Sequence, residues 1–178
     1  MKLSMLDLET ERLQLRAFRL ADRSGVAAWE QTVDANAFLE FCFRSYREWG
    51  MGPWAMVLKQ SGVIVGNSAF CRISYDRTLD TFEYCGEVNY YVAPRYRGAG
   101  LATEAVSTML KFGFGDLKLT RIQARCPPEN VGSERVMQKA GSKFERMIPG
   151  TTAATTGCSS EEKLYALTRE AFHASSST

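Results

Sequence analysis

The chain has 178 residues, 45% of them hydrophobic and 24% charged, which allows one domain of ordinary size with a single good core. A net charge of +2 is too near neutral for nucleic acid as the main partner, so any attraction to anions has to be local. Five cysteines without a CxxC spacing and one histidine, His173, argue against a disulfide framework, a metal site and a Ser-His-Asp triad, and point to a reducing compartment.

In the opening MKLSMLDLETERL there are acids and no apolar block, so a signal peptide is not expected. No run approaches the ~20 apolar residues of a membrane span, and a cytoplasmic location is expected. Residues 11–17 alternate as a half-exposed strand. A helix is predicted near 20–34, with Asp22 as a candidate cap, and a second, aromatic-rich one over 36–48, stopped by Gly50, Gly52 and Pro53. The period then changes to two. Trp54–Lys59 and Val63–Ile73 read as strands joined at Gln60-Ser61-Gly62, and 81–92 has the clearest alternation in the chain, ended by Pro94.

A helix follows, with Leu101, Ala105, Met109 and Phe112 on one face, then a strand at 120–126 and a short helix from Asn130 to Ala140 closed by Gly141. Two last strands are predicted at 143–148 and 163–168, around a small-residue loop at 149–161 that is expected to be mobile. Without repeats or linkers, 1–178 reads as a single domain with a loosely ordered tail from about 170. The element order predicts an α+β fold with one strand–helix–strand crossover.

The stretch Pro94-Arg95-Tyr96-Arg97-Gly98-Ala99-Gly100 runs straight into the helix at Leu101-Ala102-Thr103. The first N–H groups of a helix lack internal partners and sit at the positive end of its dipole, and both features suit phosphate oxygens. Two glycines let the backbone take unusual dihedrals and a diphosphate approach closely. Arg95 and Arg97 add charge-assisted donors. Read alone, the stretch is equally a basic surface turn. Neither GxxxxGK[ST] nor the Rossmann GxGxxG occurs.

Arg95-x-x-Gly98-x-Gly100, preceded by Val92-x-Pro94, resembles the acetyl-CoA signature of the GNAT N-acetyltransferases. The resemblance extends along nearly the whole chain. Leu8-Glu9-Thr10-Glu11-Arg12-Leu13 is similar to the opening strand of the ribosomal-protein N-acetyltransferase branch, and Glu87-Val88-Asn89-Tyr90-Tyr91 to its central strand. Pro128-Glu129-Asn130-x-x-Ser133-x-Arg135-Val136-x-x-Lys139-x-Gly141 is similar to its second cofactor segment, and Leu164-Tyr165-Ala166-Leu167-Thr168-Arg169 to its ending. It implies a mixed, mostly antiparallel sheet of six to seven strands flanked by helices and splayed between the fourth and fifth strands. It also implies acetyl-CoA as co-substrate and leaves a homodimer open, while composition, charge and hydropathy lead to the expectation of no metal, no nucleic acid and no membrane partner. Backbone groups of Tyr90, Tyr91 and Val92 would pair with the pantetheine amides, and the amides from Arg97 through Gly98, Ala99, Gly100, Leu101 and Ala102 to Thr103 would hold the pyrophosphate. Asn130 and Ser133 would face the pantetheine arm and the thioester sulfur.

Acetyl transfer needs a deprotonated amine, a stabilised carbonyl oxygen and a protonated leaving thiolate. An α-amine, with a pKa of about 7.7–8.0, needs less help than a lysine at about 10.4. Glu87, on the polar face of the central strand, is the candidate base; it also fits a carboxylate that bonds neighbouring strands. A backbone N–H near Tyr91 or Val92 would meet the oxyanion. Ser133 is the candidate acid for the thiolate, with Tyr165 in reserve, and either Asn130 or Ser133 also fits a helix cap. Trp29, Phe38, Phe41, Phe43 and Tyr46 are candidates for an acceptor pocket or for core. Asn89 stands where the branch has Gly, Ser142 where it has an aromatic, and TTAATTG replaces its usual last hairpin. The acceptor is therefore open between a protein N-terminus and a small amine, and a non-catalytic acyl-CoA-binding module is the alternative.

Overall fold

Trp54–Leu58 (WAMVL) shows no polar alternation, the pattern of a strand covered on both faces. In the computed structural model, which describes residues 5–29, 34–78, 81–150 and 161–175, Trp54, Ala55 and Met56 have no exposed surface. This strand is β3. Before it come β1 (Leu8–Glu9), β2 (Leu13–Ala17), α1 (Arg23–Ala27) and α2 (Ala35–Trp49). After it come β4 (Ile64–Thr78), β5 (Thr81–Val92), α3 (Leu101–Gly115), β6 (Arg121–Cys126), α4 (Val131–Lys139), β7 (Lys143–Pro149), β8 (Glu161–Thr168) and α5 (Arg169–Ser175). The fold is α+β. Its contacts gather into two compact units, Met1–Cys71 with Asn89–Met109 and Arg72–Val88 with Leu110–Thr178, so β4 and β5 contribute to both.

In the first unit β2 runs antiparallel to β1 and β3, and β3 antiparallel to β4 with a bulge at Met56/Val57. On one face of β3, Ala55 and Val57 join Phe18, Val26, Trp29, Leu39, Cys42, Ile64 and Ala93 in a buried cluster. Phe18, Trp29 and Phe38 meet edge to face there, with ring centroids 5.2–6.2 Å apart. The Tyr46 hydroxyl donates to the Pro53 carbonyl and accepts from the Phe18 N–H at 3.0 Å. Trp29, Phe38, Phe43 and Tyr46 thus serve this core, and Phe41 is exposed.

Asp22 does not cap α1. It is buried, receives Arg16 Nη1 at 2.7 Å and Nη2 at 2.9 Å, and takes the Arg19 N–H at 2.7 Å. Burial alone would push its carboxyl up, but the Arg16 and Arg19 hydrogen bonds outweigh it and hold the group below the usual carboxylate range. The helix cap in this region is Asp34, whose carboxylate accepts from the N–H groups of Asn36 and Ala37.

In the second unit β6 lies parallel to β5, from Cys85↔Arg121 to Glu87↔Gln123, where the parallel register ends, and antiparallel to β8, which pairs antiparallel with β7. This is the parallel pair that the crossover through α3 predicts. β6 alternates strictly: Ile122, Ala124 and Cys126 are buried, and Arg121, Gln123 and Arg125 project from the other face.

Three features differ from expectation. The described residues contain eight strands rather than six to seven, because Leu8 and Glu9 pair with Leu15 and Gln14 as a short extra strand. The first helical stretch is a 3-10 turn, Leu20–Asp22, leading into the five-residue α1. Residues 169–175 form α5 where a loose tail is expected, anchored by Phe172 against Phe114 (5.0 Å between centroids) and by the Arg169 N–H on the Thr120 carbonyl. The end of the predicted first helix (30–33), most of the loop expected to be mobile (151–160) and the last residues (176–178) lie outside the described residues.

Candidate functional site

In the first unit β5 ends at Val92, and Pro94–Tyr96 makes one 3-10 turn before α3. Gly98 (φ 77°) and Gly100 (φ 81°) both adopt left-handed backbone, which an L side chain resists, with Ala99 between them. Among the described residues, a Cβ built on Gly98 meets nothing within 4 Å, which leaves its outer side open. The helical ladder begins with the Glu104 N–H on the Gly100 carbonyl; the N–H groups of Leu101, Ala102 and Thr103 precede it. This open turn at the head of a 15-residue helix fits a diphosphate. The expected set shrinks at one end, because the Arg97 N–H already donates to the Pro94 carbonyl at 3.1 Å.

Both arginine side chains of the motif are engaged with backbone. Arg95 Nη2 donates to the Ala28 carbonyl at 2.6 Å, and its guanidinium lies 5.6 Å from the Tyr96 ring centre. Arg97 Nε donates to the Val92 carbonyl at 2.9 Å, and its guanidinium lies 5.7 Å from the Tyr91 ring centre. The Tyr91 carbonyl faces Gly66 so closely that a Cβ there would stand 2.0 Å from it. The Tyr91 ring packs on Trp29, and its hydroxyl is buried without a hydrogen-bond partner among the described residues.

The second unit gathers the other predicted residues. Glu87 Oε2 accepts from Arg125 Nη2 at 2.7 Å and from Gln123 Nε2 at 3.1 Å, the bonding between adjacent strands that its position allows. Arg125 Nη1 also lies 3.8 Å from Glu162 Oε2. Asn130 caps α4: its Oδ1 accepts the Ser133 N–H at 3.0 Å, and Ser133 stands half-buried in the first turn. Next to it, Glu134 accepts from the Tyr165 hydroxyl and from Lys163 Nζ at 2.8 Å, and these hydrogen bonds, Lys163 first, hold its carboxyl low. Burial, then the Glu134 bond, pushes the Tyr165 phenol up to about 12. The Cys126 thiol is buried and raised by that burial. Among the described residues no group of three or more His, Cys, Asp or Glu is placed to hold a metal, and no helix is long and apolar enough to cross a membrane.

Reasoning from the sequence alone missed Arg12 and Glu104, which meet at the cradle although 92 residues apart. The available signal was an acid in the first turn of α3, an unusual choice beside an anion site.

A mixed α+β chain that leads a strand through a two-glycine turn into an open helix start is built to present backbone amides to an anion. The sequence pattern of the acetyltransferase (GNAT) domain matches residues 12–143. The chain belongs to that family, whose members take the acetyl group from acetyl-CoA. It is 29% identical over 160 residues to the uncharacterized N-acetyltransferase YnaD of Bacillus subtilis (strain 168), a match that spans 81% of this chain and 89% of that one. It is also similar to the crystal structure of a GNAT-family acetyltransferase from Bacillus anthracis, with 25% identity, a TM-score of 0.71, and 93% and 99% of the two chains covered. The fold is shared too with RimJ of Mycobacterium smegmatis, solved in complex with CoA-disulfide, at 22% identity and a TM-score of 0.71 over 94% and 92% of the chains.

Proposed function

We propose that this chain, acting as one N-acetyltransferase domain, moves the acetyl group of acetyl-CoA to a primary amine by direct attack in a ternary complex. The observation that carries the reading is the pair of left-handed glycines, with open space at Gly98, at the head of α3. In it, the amides of Gly98, Ala99, Gly100, Leu101, Ala102 and Thr103 hold the diphosphate, and the backbone of Tyr90, Tyr91 and Val92 orients the pantetheine arm. Arg95 and Arg97 support this turn through the Ala28 and Val92 carbonyls.

Bound acetyl-CoA supplies the thioester. Glu87 takes a proton from the ammonium form of the acceptor, directly or through water, and a backbone N–H near Tyr91 or Val92 faces the carbonyl oxygen. As the C–S bond breaks, the Ser133 hydroxyl gives its proton to the departing sulfur and takes the extra proton still carried by the acceptor nitrogen, leaving thiol, amide and neutral serine. Asn130 sets Ser133 in place by capping α4. Tyr165 is less suited to that role, since it is buried and its hydroxyl is committed to Glu134. The acceptor is a protein N-terminus or a small-molecule amine. Release of thiol from acetyl-CoA in the presence of an amine panel tests the reading. Tight CoA binding without thiol release for any amine would leave a binding module instead.

A further inference from the structure

Thr10-x-Arg12 has no part in the chemistry above, yet its side chains converge on the cradle. Glu104, in the first turn of α3, accepts the Arg12 N–H at 2.7 Å, Arg12 Nε at 2.8 Å and the Thr10 hydroxyl. Arg12 Nη2 lies 2.8 Å from Glu104 Oε2. The other terminal nitrogen, Nη1, donates to the Ala99 carbonyl at 2.9 Å. That carbonyl belongs to the residue between the two left-handed glycines, and Arg12 Nη2 is the nearest atom, at 3.5 Å, to where a Cβ on Gly100 would stand.

Two physical consequences follow. A trans peptide is planar, with its C=O and N–H pointing in opposite directions. Fixing the Ala99 oxygen on Arg12 therefore aims the N–H of Gly100, the other end of the same peptide, away from Arg12. Second, a carboxylate in the first turn of a helix stands close to any anion bound there and repels it unless a cation neutralises it. Glu104 is ionised: burial would push its carboxyl up, but the Thr10 and Arg12 donors hold it below the usual range. We propose that Arg12, held by Glu104, is a positioning residue of the diphosphate cradle, aiming the Gly100 amide and cancelling the Glu104 charge. This rests on the reading that residues 98–103 hold the diphosphate of acetyl-CoA.

The test uses the full chain and needs no acceptor. CoA affinity is measured by calorimetry, pantetheine binding by ligand-observed NMR, and folding by thermal melting. Arg12→Gln is expected to weaken CoA by about ten- to a hundredfold, the scale of one charged hydrogen-bonded contact, and to leave pantetheine, which lacks the diphosphate, unchanged. Arg12→Gln/Glu104→Gln should recover part of the loss, because the second change removes the stranded charge. Arg47→Gln, an exposed control that removes the same charge, should bind as wild type. Unchanged CoA affinity in Arg12→Gln, or an equal loss on CoA and pantetheine, overturns the proposal. A double variant as weak as the single one overturns the neutralising role. If Arg12→Gln does not fold, Arg12→Lys, which keeps the charge without the fork, should show a smaller loss confined to CoA. Wild-type protein that fails to bind CoA would instead sink the donor reading itself.

Discussion

Replacing Gly66 by alanine puts a methyl group where the structure has the backbone of β5. The new Cβ would stand 2.0 Å from the Tyr91 oxygen, 3.0 Å from its carbonyl carbon and 3.1 Å from Val92 Cα, whereas ordinary contact begins at 3.4 Å. The strand would have to retreat by about 1.4 Å, and no side-chain rotation relieves a clash with backbone. Retreat strains the Ala93 N–H bond to the Val65 carbonyl (2.9 Å) and the Ser68 hydroxyl bond to the Asn89 carbonyl (3.1 Å). Overpacking of this kind costs about 1–3 kcal/mol, and each hydrogen bond lost adds about 1 kcal/mol. A total of about 3–5 kcal/mol corresponds to a melting temperature lower by roughly 10 °C for a chain of this length. Because Tyr91 and Val92 are the segment assigned to the pantetheine arm, CoA affinity should fall as well. Thermal unfolding by circular dichroism and CoA calorimetry check both, with Gly115→Ala as control: its Cβ meets nothing within 4 Å and alanine favours a helix. If Gly66→Ala melts within about 2 °C of wild type and binds CoA equally, the close approach to Tyr91 has no energetic weight and the reasoning fails.

Ser133→Ala is expected to lower kcat by about a hundredfold, the lower range for a lost proton donor, and to leave CoA affinity as it is; unchanged turnover in the thiol-release assay would take Ser133 out of the mechanism. Gly98→Val should lose about 1–2 kcal/mol from its left-handed backbone, lose CoA binding as the side chain fills the open turn, and be contradicted by calorimetry at wild-type affinity. For Asp22 the folded carboxyl titrates below its unfolded value, so its contribution is present above about pH 4 and is lost as pH falls through the lower folded value. Asp22→Asn strands the buried Arg16 guanidinium and should lose about 3–5 kcal/mol at pH 7, a gap that narrows in strong acid; urea melts that differ equally at pH 7 and pH 2.5 would show that the pair does not titrate as argued.

How much of this was visible in the sequence depends on the range of the cause. The strands predicted at 54–59, 63–73, 81–92 and 120–126 and the helices predicted at 36–48, from 101 and at 130–140 follow from hydrophobic period and from Gly and Pro stops, which act over a few residues, although β4 runs on past residue 73 to Thr78. The cap at Asn130 is local in the same way. Asp22 was misplaced because its partner is decided by fold: a short acid before a helix reads as a cap, but Arg16 on β2 is buried beside it and needs a counter-charge more. The aromatics of α2 remained ambiguous between core and pocket, since periodicity fixes a helix face and leaves open what covers it.

The cradle divides along the same line, and its division is informative about the motif. Gly98 and Gly100 are required by the dihedrals of their own residues, so two letters suffice to locate an open turn. The destination of a guanidinium is set by whichever carbonyl or carboxylate the fold brings within reach. Arg95 reaches Ala28, 67 residues away, and Arg97 the Val92 carbonyl, while the arginine that touches the cradle's own backbone, Arg12, comes from the start of the chain. On the proposed reading, attraction for the diphosphate then comes chiefly from amides and the helix start. The proposal for Arg12 gives the cations around them a different part, holding the turn and offsetting Glu104, so that a substitution at Arg12 would act on the donor without touching it.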